Sequence, residues 1–319
     1  MSSNPSSPNV ASIIRIAAGA LQSRSVSVEP LMGYHYPTYR VTTASTARQF
    51  FYICKARPSN QNTSLRHEGN CLDREICVLQ GLNNRPLIVP PKVVHYHSSP
   101  SSSGCQYLIT GPFSGSILAQ VEPNLSRSDL ALIDQSLGRY INRMANVVGP
   151  GFGRVGQAPG QESSSWAKVF SGLLETVMAD GENAALNLPF KTMRELLHKH
   201  RGSLDKITQP RLTLLELSGD KNIMVGQSDH VVHSLLDYST AVWGDPFMCD
   251  CFVKPTTWFV EGFGRLPNKT KDEIIRQYFY VLYHAMVVII RCHYATSSSS
   301  GLTEARQNLS ASMHHLAVI

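Results

Sequence analysis

The stretch LLDYSTAVWGDP, which runs from Leu235 to Pro246, constrains the fold more than any other part of the sequence. Its apolar start stops at an aspartate, Asp237, and its end is a Gly-Asp-Pro turn. A second stretch, ELSGDKNIMV from Glu216 to Val225, places Asn222 directly before another apolar run. The turn-forming residues GQSDH follow that run. The pattern therefore predicts a β-hairpin with Asn222 at one end and Asp237 at the other.

Asn222 and Asp237 both present side-chain oxygen atoms, which are the ligands that Mg²⁺ prefers. Residues at the ends of two paired strands can lie close enough to bind one ion. We therefore predict that this pair binds Mg²⁺. The alternative is turn chemistry, because Asn and Asp are also favoured where strands end.

Lys55 lies within the apolar run FYICKA, residues 51–56, which predicts a strand. Burying a lysine without a partner costs several kcal/mol, so Lys55 must either reach solvent or meet a carboxylate. Glu75 lies on the next predicted element, a helix whose apolar residues include Leu72 and Ile76. An ion pair between Lys55 and Glu75 is the arrangement that positions the phosphates of ATP. The alternative is that Lys55 extends along a strand edge into water.

The spacing of apolar residues changes near the middle of the first half of the chain. Alternating and aromatic runs predict three strands between about residues 25 and 58, then the helix with Glu75, then two more strands up to Thr110. After Gly111 the spacing becomes helical. We therefore predict an α+β fold with two lobes. Its segments are an N-terminal helical extension over 1–24, a small β-rich N-lobe over 25–110, and a mainly helical C-lobe over 111–319 that carries the catalytic and metal-binding loops.

The composition is that of a globular protein, with 42% hydrophobic and 16% charged residues. The net charge is +6, but the Lys and Arg residues are dispersed, so we predict no binding to nucleic acid. The longest apolar run, from Tyr278 to Ile290, is shorter than a membrane span and contains His284, so we predict a buried helix and no membrane insertion. A polar start without basic residues, and seven cysteines without a CxxC pair, predict a cytoplasmic protein with reduced thiols.

Taken together, these residues resemble the pattern of the aminoglycoside phosphotransferase and choline kinase-like family, whose members are relatives of the protein kinases. The resemblance extends over roughly residues 30 to 290. Its most specific part is LLDYSTAVWGDP, which matches the family's metal-binding aspartate and its trailing Gly-Asp-Pro. The other matches are Gly33 in MGYHYPTYRV, Lys55 in its strand, Glu75 in REICVLQGL, Thr110 in the hinge-like YLITGPFSGSIL, and Asn222 before its apolar run.

The resemblance implies a two-lobed protein-kinase-like fold. It also implies an ATP- and Mg²⁺-dependent phosphotransferase that acts on a hydroxyl group of a small-molecule metabolite or natural product. The acceptor would bind against the helical segments from SSSWAKVF (163–170) to LPFKTMREL (188–196) and the C-terminal helices. The C-terminal part is aromatic and poor in carboxylates, so we expect an acceptor less cationic than an aminoglycoside. The implied nucleotide-binding residues are Gly33, Lys55, Glu75 and Thr110, and the implied metal ligands are Asn222 and Asp237.

The sequence departs from the family pattern in the catalytic loop. The family has a His-Gly-Asp whose base aspartate lies five residues before the asparagine, and here that position is Leu217. Either Glu216 acts as the base, or Asp220 takes part, or no base is present. Two alternatives to the phosphotransferase therefore stay open. One is a pseudokinase that binds nucleotide or serves as a scaffold, and the other is a kinase-like fold adapted to different metabolite chemistry.

Overall fold

The computed structural model describes residues 10–31, 36–44, 50–58, 65–66, 71–83, 85, 88–98, 105–217, 219–294 and 301–319. Gly33 lies outside the described residues, so its predicted place in a nucleotide-binding turn stays a prediction. The helices are α1 Val10–Ala20, α2 Cys71–Leu82, α3 Leu118–Val121, α4 Arg127–Ala145, α5 Trp166–Asn183, α6 Phe190–Leu204, α7 Thr257–Phe263, α8 Lys271–Tyr294 and α9 Leu302–Val318. The strands are β1 Val26–Leu31, β2 Thr38–Thr43, β3 Phe51–Pro58, β4 Val93–His97, β5 Cys105–Phe113, β6 Ser116–Ile117, β7 Gly153–Arg154, β8 Arg211–Leu214, β9 Ile223–Val225, β10 Val232–Leu235 and β11 Ala241–Gly244.

The order of these elements confirms the predicted α+β fold class. An antiparallel sheet forms the N-terminal part, and the C-terminal part is mainly helical. The strands and the helix that were predicted before Thr110 are present as β1 to β5 and α2. Strand β5 continues through Gly111 to Phe113, so Thr110 lies inside a strand. The segments 1–24, 25–110 and 111–319 stay a prediction.

Contacts between residues divide the chain into two compact units. The first unit takes in Met1–Asn62, Cys71–Leu137 and Leu217–Ser239. The second takes in Thr63–Asn70, Gly138–Glu216 and Thr240–Ile319. The β9–β10 hairpin therefore groups with the N-terminal sheet, and most helices group in the second unit.

The main sheet of the first unit has the strand order β1-β2-β3-β5-β4, and every neighbouring pair is antiparallel. Successive side chains of a strand point to opposite faces of a sheet. Cys54 and Ala56 of β3 belong to the core that includes Ile13 and Ala17 of α1. Lys55 lies between Cys54 and Ala56 in the sequence and therefore points to the opposite face.

Helix α2 covers the face to which Lys55 points. Leu72 and Ile76 pack against Leu108, which lies opposite Lys55 in the register of β3 and β5. Glu75 is three residues after Leu72, which places it on the same side of the helix. Glu75 is 0% exposed. The two periodicities, of the strand and of the helix, thus direct Lys55 and Glu75 toward each other.

A smaller sheet in the first unit contains the predicted hairpin. Its strand order is β10-β9-β6, and both pairs are antiparallel. Gly115, directly before β6, has a φ of +101°, and a Cβ at this position would lie 2.3 Å from the carbonyl oxygen of Val225. Only glycine permits this backbone conformation together with so close an approach.

Helices α5, α6, α8 and α9 form most of the second unit, which also contains the sheet β7-β11-β8. Of these four helices, α5 and α8 have a side-chain cap at their start. The Ser165 hydroxyl accepts a hydrogen bond from the Lys168 N–H at 3.1 Å before α5. The Thr270 hydroxyl accepts one from the Glu273 N–H at 3.2 Å before α8. Such caps satisfy N–H groups that have no partner within the helix.

Helix α8 is long and apolar enough to cross a membrane by length and composition, and it is the one such helix among the described residues. Its most apolar window is 67% buried inside the protein. Phe279, Tyr283 and Met286 are completely buried. A helix covered in this way by its own protein has the character of a core helix, which agrees with the predicted buried helix.

Candidate active site

Lys55 lies at the centre of a buried cluster of charged side chains in the first unit. Its Nζ is 2.7 Å from each carboxylate oxygen of Glu75 and 3.1 Å from Oδ1 of Asp237. The side chains of Lys55 and Glu75 are 3% and 0% exposed, and that of Asp237 is 11% exposed. Lys55 therefore meets carboxylates inside the protein and does not extend along a strand edge into water.

The three side chains carry one net negative charge when both carboxyl groups are ionised. Burial opposes the charge of Lys55, but the carboxylates of Asp237 and Glu75 outweigh burial and raise the pKa of Lys55. Burial raises the pKa of Glu75 to about 7, although the Lys55 ammonium opposes this shift. Lys55 is therefore protonated at neutral pH, whereas Glu75 titrates there. A further cation beside Asp237 would favour the ionised form of both carboxylates.

The β9–β10 hairpin brings Asn222 and Asp237 together. Asn222 directly precedes β9, and Asp237 follows β10 after one residue, Leu236. The Leu236 N–H donates to the Asn222 carbonyl at 2.9 Å. The Asn222 Nδ2 donates to the Asp237 carbonyl at 3.2 Å. Strand pairing thus holds the two predicted metal ligands side by side at the end of the hairpin.

The side-chain oxygen of Asn222 is buried without a partner. Asn222 is 0% exposed, and its Oδ1 accepts no hydrogen bond from any residue that the structure describes. Leaving a buried acceptor unpaired costs about 1–3 kcal/mol, so such an atom indicates a partner other than the protein itself. Mg²⁺ would fit this site, because the Asn222 oxygen and the Asp237 carboxylate are the hard oxygen donors that it prefers.

The donor set suits magnesium better than a metal that needs a full protein cage. Within the described ranges, no group of three or more His, Cys, Asp and Glu residues could hold a metal ion. Mg²⁺ is usually bound through one or two carboxylates together with water and the phosphates of a substrate. Two oxygen-bearing residues, Asn222 and Asp237, are therefore a sufficient protein contribution.

Glu216, the first predicted base, forms an ion pair within the second unit. Its Oε2 is 2.5 Å from Nη1 of Arg291, and its Oε1 is 3.1 Å from Nη2 of Arg291. The backbone is also fixed, because the Thr240 hydroxyl accepts from the Glu216 N–H at 3.2 Å and donates to the Glu216 carbonyl at 3.1 Å. Arg291 therefore contacts both carboxylate oxygens of Glu216 and offsets its negative charge. Its role as a base stays a prediction.

Asp220, the second predicted catalytic residue, lies in the short 3₁₀ turn Gly219–Asn222 of the first unit. Its negative charge is the main cause that raises the pKa of the neighbouring Glu122. Leu217, at the position that the family pattern gives to the base, is 4% exposed and offers no proton acceptor. The structure therefore places Asp220 beside another carboxyl group, and its catalytic role stays a prediction.

Thr110 occupies a central place in the main sheet. It is 1% exposed, and it lies opposite Ile53 of β3 and Val93 of β4. A contact between Thr110 and the nucleotide stays a prediction.

Asp245, in the Gly-Asp-Pro that ends the opening stretch, has a structural environment in the second unit. It is 1% exposed. Its Oδ2 accepts hydrogen bonds from Arg276 Nε at 3.1 Å and from the Tyr280 hydroxyl at 2.8 Å. Both donors belong to α8, so this aspartate joins the end of β11 to the central helix of the unit.

A cavity of about 580 Å³ opens in the second unit. Its wall mixes amide, cationic and aromatic side chains, among them Asn142, Lys206, Arg211, Phe247 and Arg265. Of the segments that were predicted to bind the acceptor, 163–170 and 188–196 contribute none of this wall, and the C-terminal helices contribute one residue, Phe263 at the end of α7. The place of the acceptor therefore stays a prediction.

Sequence reasoning missed two arginines at these sites. Arg74 donates to the Ser239 carbonyl at 2.6 Å, and Arg291 pairs with Glu216. The partners lie 165 and 75 residues apart in the chain, so no local pattern connects them. A weak signal exists for Arg74, because helical spacing puts it on the apolar face of α2, three residues after the buried Cys71.

No protein-family model and no curated protein matches the sequence. Solved structures match over nearly the whole chain. A provisionally assigned aminoglycoside phosphotransferase of Ralstonia eutropha JMP134 has a TM-score of 0.62 at 15% identity and covers 97% of each chain. A thermostable mutant of aminoglycoside phosphotransferase APH(4)-Ia, in complex with ADP and hygromycin B, has a TM-score of 0.60 at 13% identity over 96% of this chain and 97% of that one.

A microcompartment-associated aminopropanol kinase has a TM-score of 0.55 at 16% identity, over 95% of this chain and 96% of that one. The protein therefore has the kinase-like fold of the aminoglycoside phosphotransferases, as the sequence resemblance implied. At identities of 13–16% the likeness is one of fold. The residues of the charged cluster must therefore supply the argument for function.

Proposed function

We propose that the protein is an ATP- and Mg²⁺-dependent phosphotransferase that transfers the terminal phosphoryl group to a hydroxyl group of a small molecule. The observation that carries the proposal is the buried cluster of Lys55, Glu75 and Asp237, beside which Asn222 Oδ1 has no partner in the described part of the chain. Proteins of the same fold support it, since one was solved with ADP and another with GDP.

The cluster contains the groups that phosphoryl transfer requires. Lys55 would donate hydrogen bonds to the phosphate oxygens, and Glu75 would hold the ammonium group in place. Asn222 and Asp237 would bind Mg²⁺, which when bound offsets the negative charge of the phosphates. Strand pairing and helix packing already fix all four residues, so little reorganisation is needed when the nucleotide binds.

We propose that catalysis depends mainly on this positioning and only weakly on a base. In the loose transition state of phosphoryl transfer, electrostatic stabilisation and alignment contribute most of the rate enhancement. Both oxygens of Glu216 contact Arg291, and the base position of the family pattern is Leu217. Because Arg291 offsets the charge of Glu216, we also propose an acceptor that is uncharged or weakly charged, such as a metabolite or natural-product alcohol.

A nucleotide-binding protein without transferase activity is the second candidate. The observation that favours it is again Leu217, which puts an apolar side chain where the family has its base. This candidate shares the nucleotide site of the first, so binding and turnover have to be measured separately. For either function we propose a cytoplasmic location, which is supported by the absence of a disulfide bond among the seven cysteines, all of which the structure describes.

The binding test compares melting temperatures with ATP and Mg²⁺ and with ATP and EDTA, for the wild type, Asp237→Asn and Asp229→Asn. A ligand at 100 times its dissociation constant stabilises a protein by about 2.7 kcal/mol. We expect a Mg²⁺-dependent shift that Asp237→Asn abolishes. Asp229 is an exposed residue of the hairpin turn, so Asp229→Asn is the matched control and should keep the shift. Absence of a shift in the wild type at millimolar ATP would refute the nucleotide site.

The turnover test follows release of ADP in the presence of uncharged alcohols and, separately, of aminoglycosides. We expect acceptor-dependent release with the alcohols that exceeds release with the aminoglycosides. Release that no acceptor stimulates, in a protein that binds ATP with Mg²⁺, would favour the nucleotide-binding candidate over the phosphotransferase.

A further inference from the structure

Arg74, the residue before Glu75 on helix α2, makes a buried contact with the segment that carries Asp237. Arg74 is 8% exposed, and its Nη1 donates to the Ser239 carbonyl at 2.6 Å. A second, longer contact of 3.5 Å joins the same nitrogen to the sulfur of Cys71. A buried arginine is costly unless its donors are used, so the hydrogen bond to Ser239 offsets part of the cost of burying the guanidinium.

Glu75 contacts the same segment one residue earlier. Its Oε1 accepts a hydrogen bond of 3.4 Å from the Tyr238 N–H. Two consecutive residues of α2 therefore bind two consecutive residues after Asp237. Arg74 binds the carbonyl of Ser239, and Glu75 binds the N–H of Tyr238. Each contact restrains a different peptide unit, so together they limit both the position and the rotation of the segment after Asp237.

The orientation of the Asp237 carboxylate depends on that segment. Its Oδ1 accepts a hydrogen bond of 2.8 Å from the Ser239 N–H and lies 3.1 Å from Lys55 Nζ. Ser239 thus links Arg74 to Asp237, since its carbonyl accepts a hydrogen bond from Arg74 and its N–H donates one to Asp237. A shift of helix α2 would move Ser239 and with it the carboxylate.

We propose that Arg74 is a positioning residue that couples helix α2 to the orientation of Asp237, and so sets the affinity of the Asn222–Asp237 pair for Mg²⁺. The proposal rests on the proposed function, because it assigns Asp237 to the metal. It assigns to Arg74 a role distinct from that of its neighbour Glu75. Glu75 contacts the Lys55 ammonium and the Tyr238 N–H, whereas Arg74 binds the carbonyl of Ser239, the residue whose N–H orients the Asp237 carboxylate.

The first test uses the protein without ligand and measures amide hydrogen exchange in the wild type, Arg74→Met, Arg74→Lys and Arg85→Met. Arg85 is exposed just beyond α2, so Arg85→Met is the matched control for the loss of charge. We expect exchange of the Ser239 amide to be about tenfold faster in Arg74→Met, because a charge-assisted hydrogen bond is lost. The Ile53 amide in β3 should be unchanged, and Arg74→Lys should be intermediate.

Unchanged exchange at Ser239 in Arg74→Met would overturn the proposal. Equal acceleration at Ser239 and Ile53 would also overturn it, because Arg74 would then contribute only to general stability. Acceleration at Ser239 alone supports the coupling whether or not ATP binds, which separates this result from the test of the nucleotide site.

The second test measures the affinity for Mg²⁺ in the presence of ATP by the shift in melting temperature. We expect Arg74→Met to weaken Mg²⁺ binding about tenfold, while the shift caused by ATP with EDTA stays as in the wild type. Arg74→Lys should bind Mg²⁺ with an affinity between those of Arg74→Met and the wild type. The control Arg85→Met should bind Mg²⁺ as tightly as the wild type. Equal Mg²⁺ affinities in the wild type and Arg74→Met would contradict the proposed role.

Discussion

Two carboxylate–cation clusters among the described residues, one around Lys55 and one at Glu216, differ in how completely their charges are matched. In the first, Lys55 contacts two carboxylates, Glu75 and Asp237, so the cluster carries one carboxylate more than it has ammonium groups. In the second, Glu216 and Arg291 form a balanced pair with two contacts. An excess of carboxylate beside an unpaired oxygen favours the binding of a cation, whereas a balanced pair is already satisfied.

The comparison shows that residues matched by the same sequence pattern are not equally available for chemistry. Both clusters lie at motifs of the family resemblance, and both have a glutamate with a cationic partner. Only the first of the two has more carboxylates than cations. The second resembles an ion pair that stabilises the fold. That Glu216 acts as a base stays a prediction.

The largest effect should come from removing the shared cation of the first cluster. Lys55→Met leaves Glu75 and Asp237 buried without their ammonium partner, so we expect a loss of about 3–5 kcal/mol in the free energy of unfolding. The variant should also lose the ATP-dependent shift in melting temperature. Urea denaturation measures the first quantity. The control is Lys92→Met, at an exposed position. An equal loss of unfolding free energy in both variants would contradict the role of Lys55 as the shared partner of the two carboxylates.

A smaller effect should follow when the balanced pair loses one partner. Arg291→Met leaves the Glu216 carboxylate, which is 8% exposed, without its guanidinium, so we expect a loss of about 1–3 kcal/mol in unfolding free energy. A double-mutant cycle with Glu216→Gln should give a coupling energy of similar size. A coupling energy near zero would show that the pair does not stabilise the fold.

The turnover rate of the Glu216→Gln variant provides a second measurement on this pair. If Glu216 is only a partner of Arg291, Glu216→Gln should lower turnover less than tenfold, below the 10²- to 10⁴-fold effect that is typical of a catalytic base. A loss larger than about a hundredfold would identify Glu216 as the base and make the second cluster functional.

The smallest effect concerns pH. Burial raises the pKa of Glu75 in the folded protein to about 7 from its ordinary 4.5, so the folded state binds more protons than the unfolded state between these values. The resulting stability is fully present below the unfolded value and is lost as pH rises through about 7. We expect the stability of the wild type to fall by about 1–2 kcal/mol relative to Glu75→Gln between pH 6 and pH 8.

Urea denaturation across this pH range measures the effect, and Glu29→Gln on an exposed stretch of β1 is the control. Parallel pH profiles for the wild type and Glu75→Gln would contradict a titration of Glu75 near neutrality. Binding of ATP with Mg²⁺ should weaken below about pH 7, because protonated Glu75 no longer holds the Lys55 ammonium by charge.

Much of the first cluster was predictable because local periodicity determines it. Alternation along β3 directs Lys55 away from Cys54 and Ala56, and the helical repeat of α2 puts Glu75 on the apolar face. The hairpin followed from turn residues between two apolar runs, which also placed Asn222 and Asp237 at its ends. Each of these inferences used residues within one or two elements.

The sequence by itself determined the order of strands and helices up to Thr110, the kinase-like class of fold through its family resemblance, and four of the polar residues that the first unit gathers. Only the tertiary structure decided which charged groups pair. Lys55 contacts two carboxylates, Arg291 forms an ion pair with Glu216, and Arg74 donates a hydrogen bond to the Ser239 carbonyl. The physical reason is range. Backbone periodicity acts over a few residues, whereas the choice of partner for a buried charge depends on which distant elements packing brings within about 3 Å.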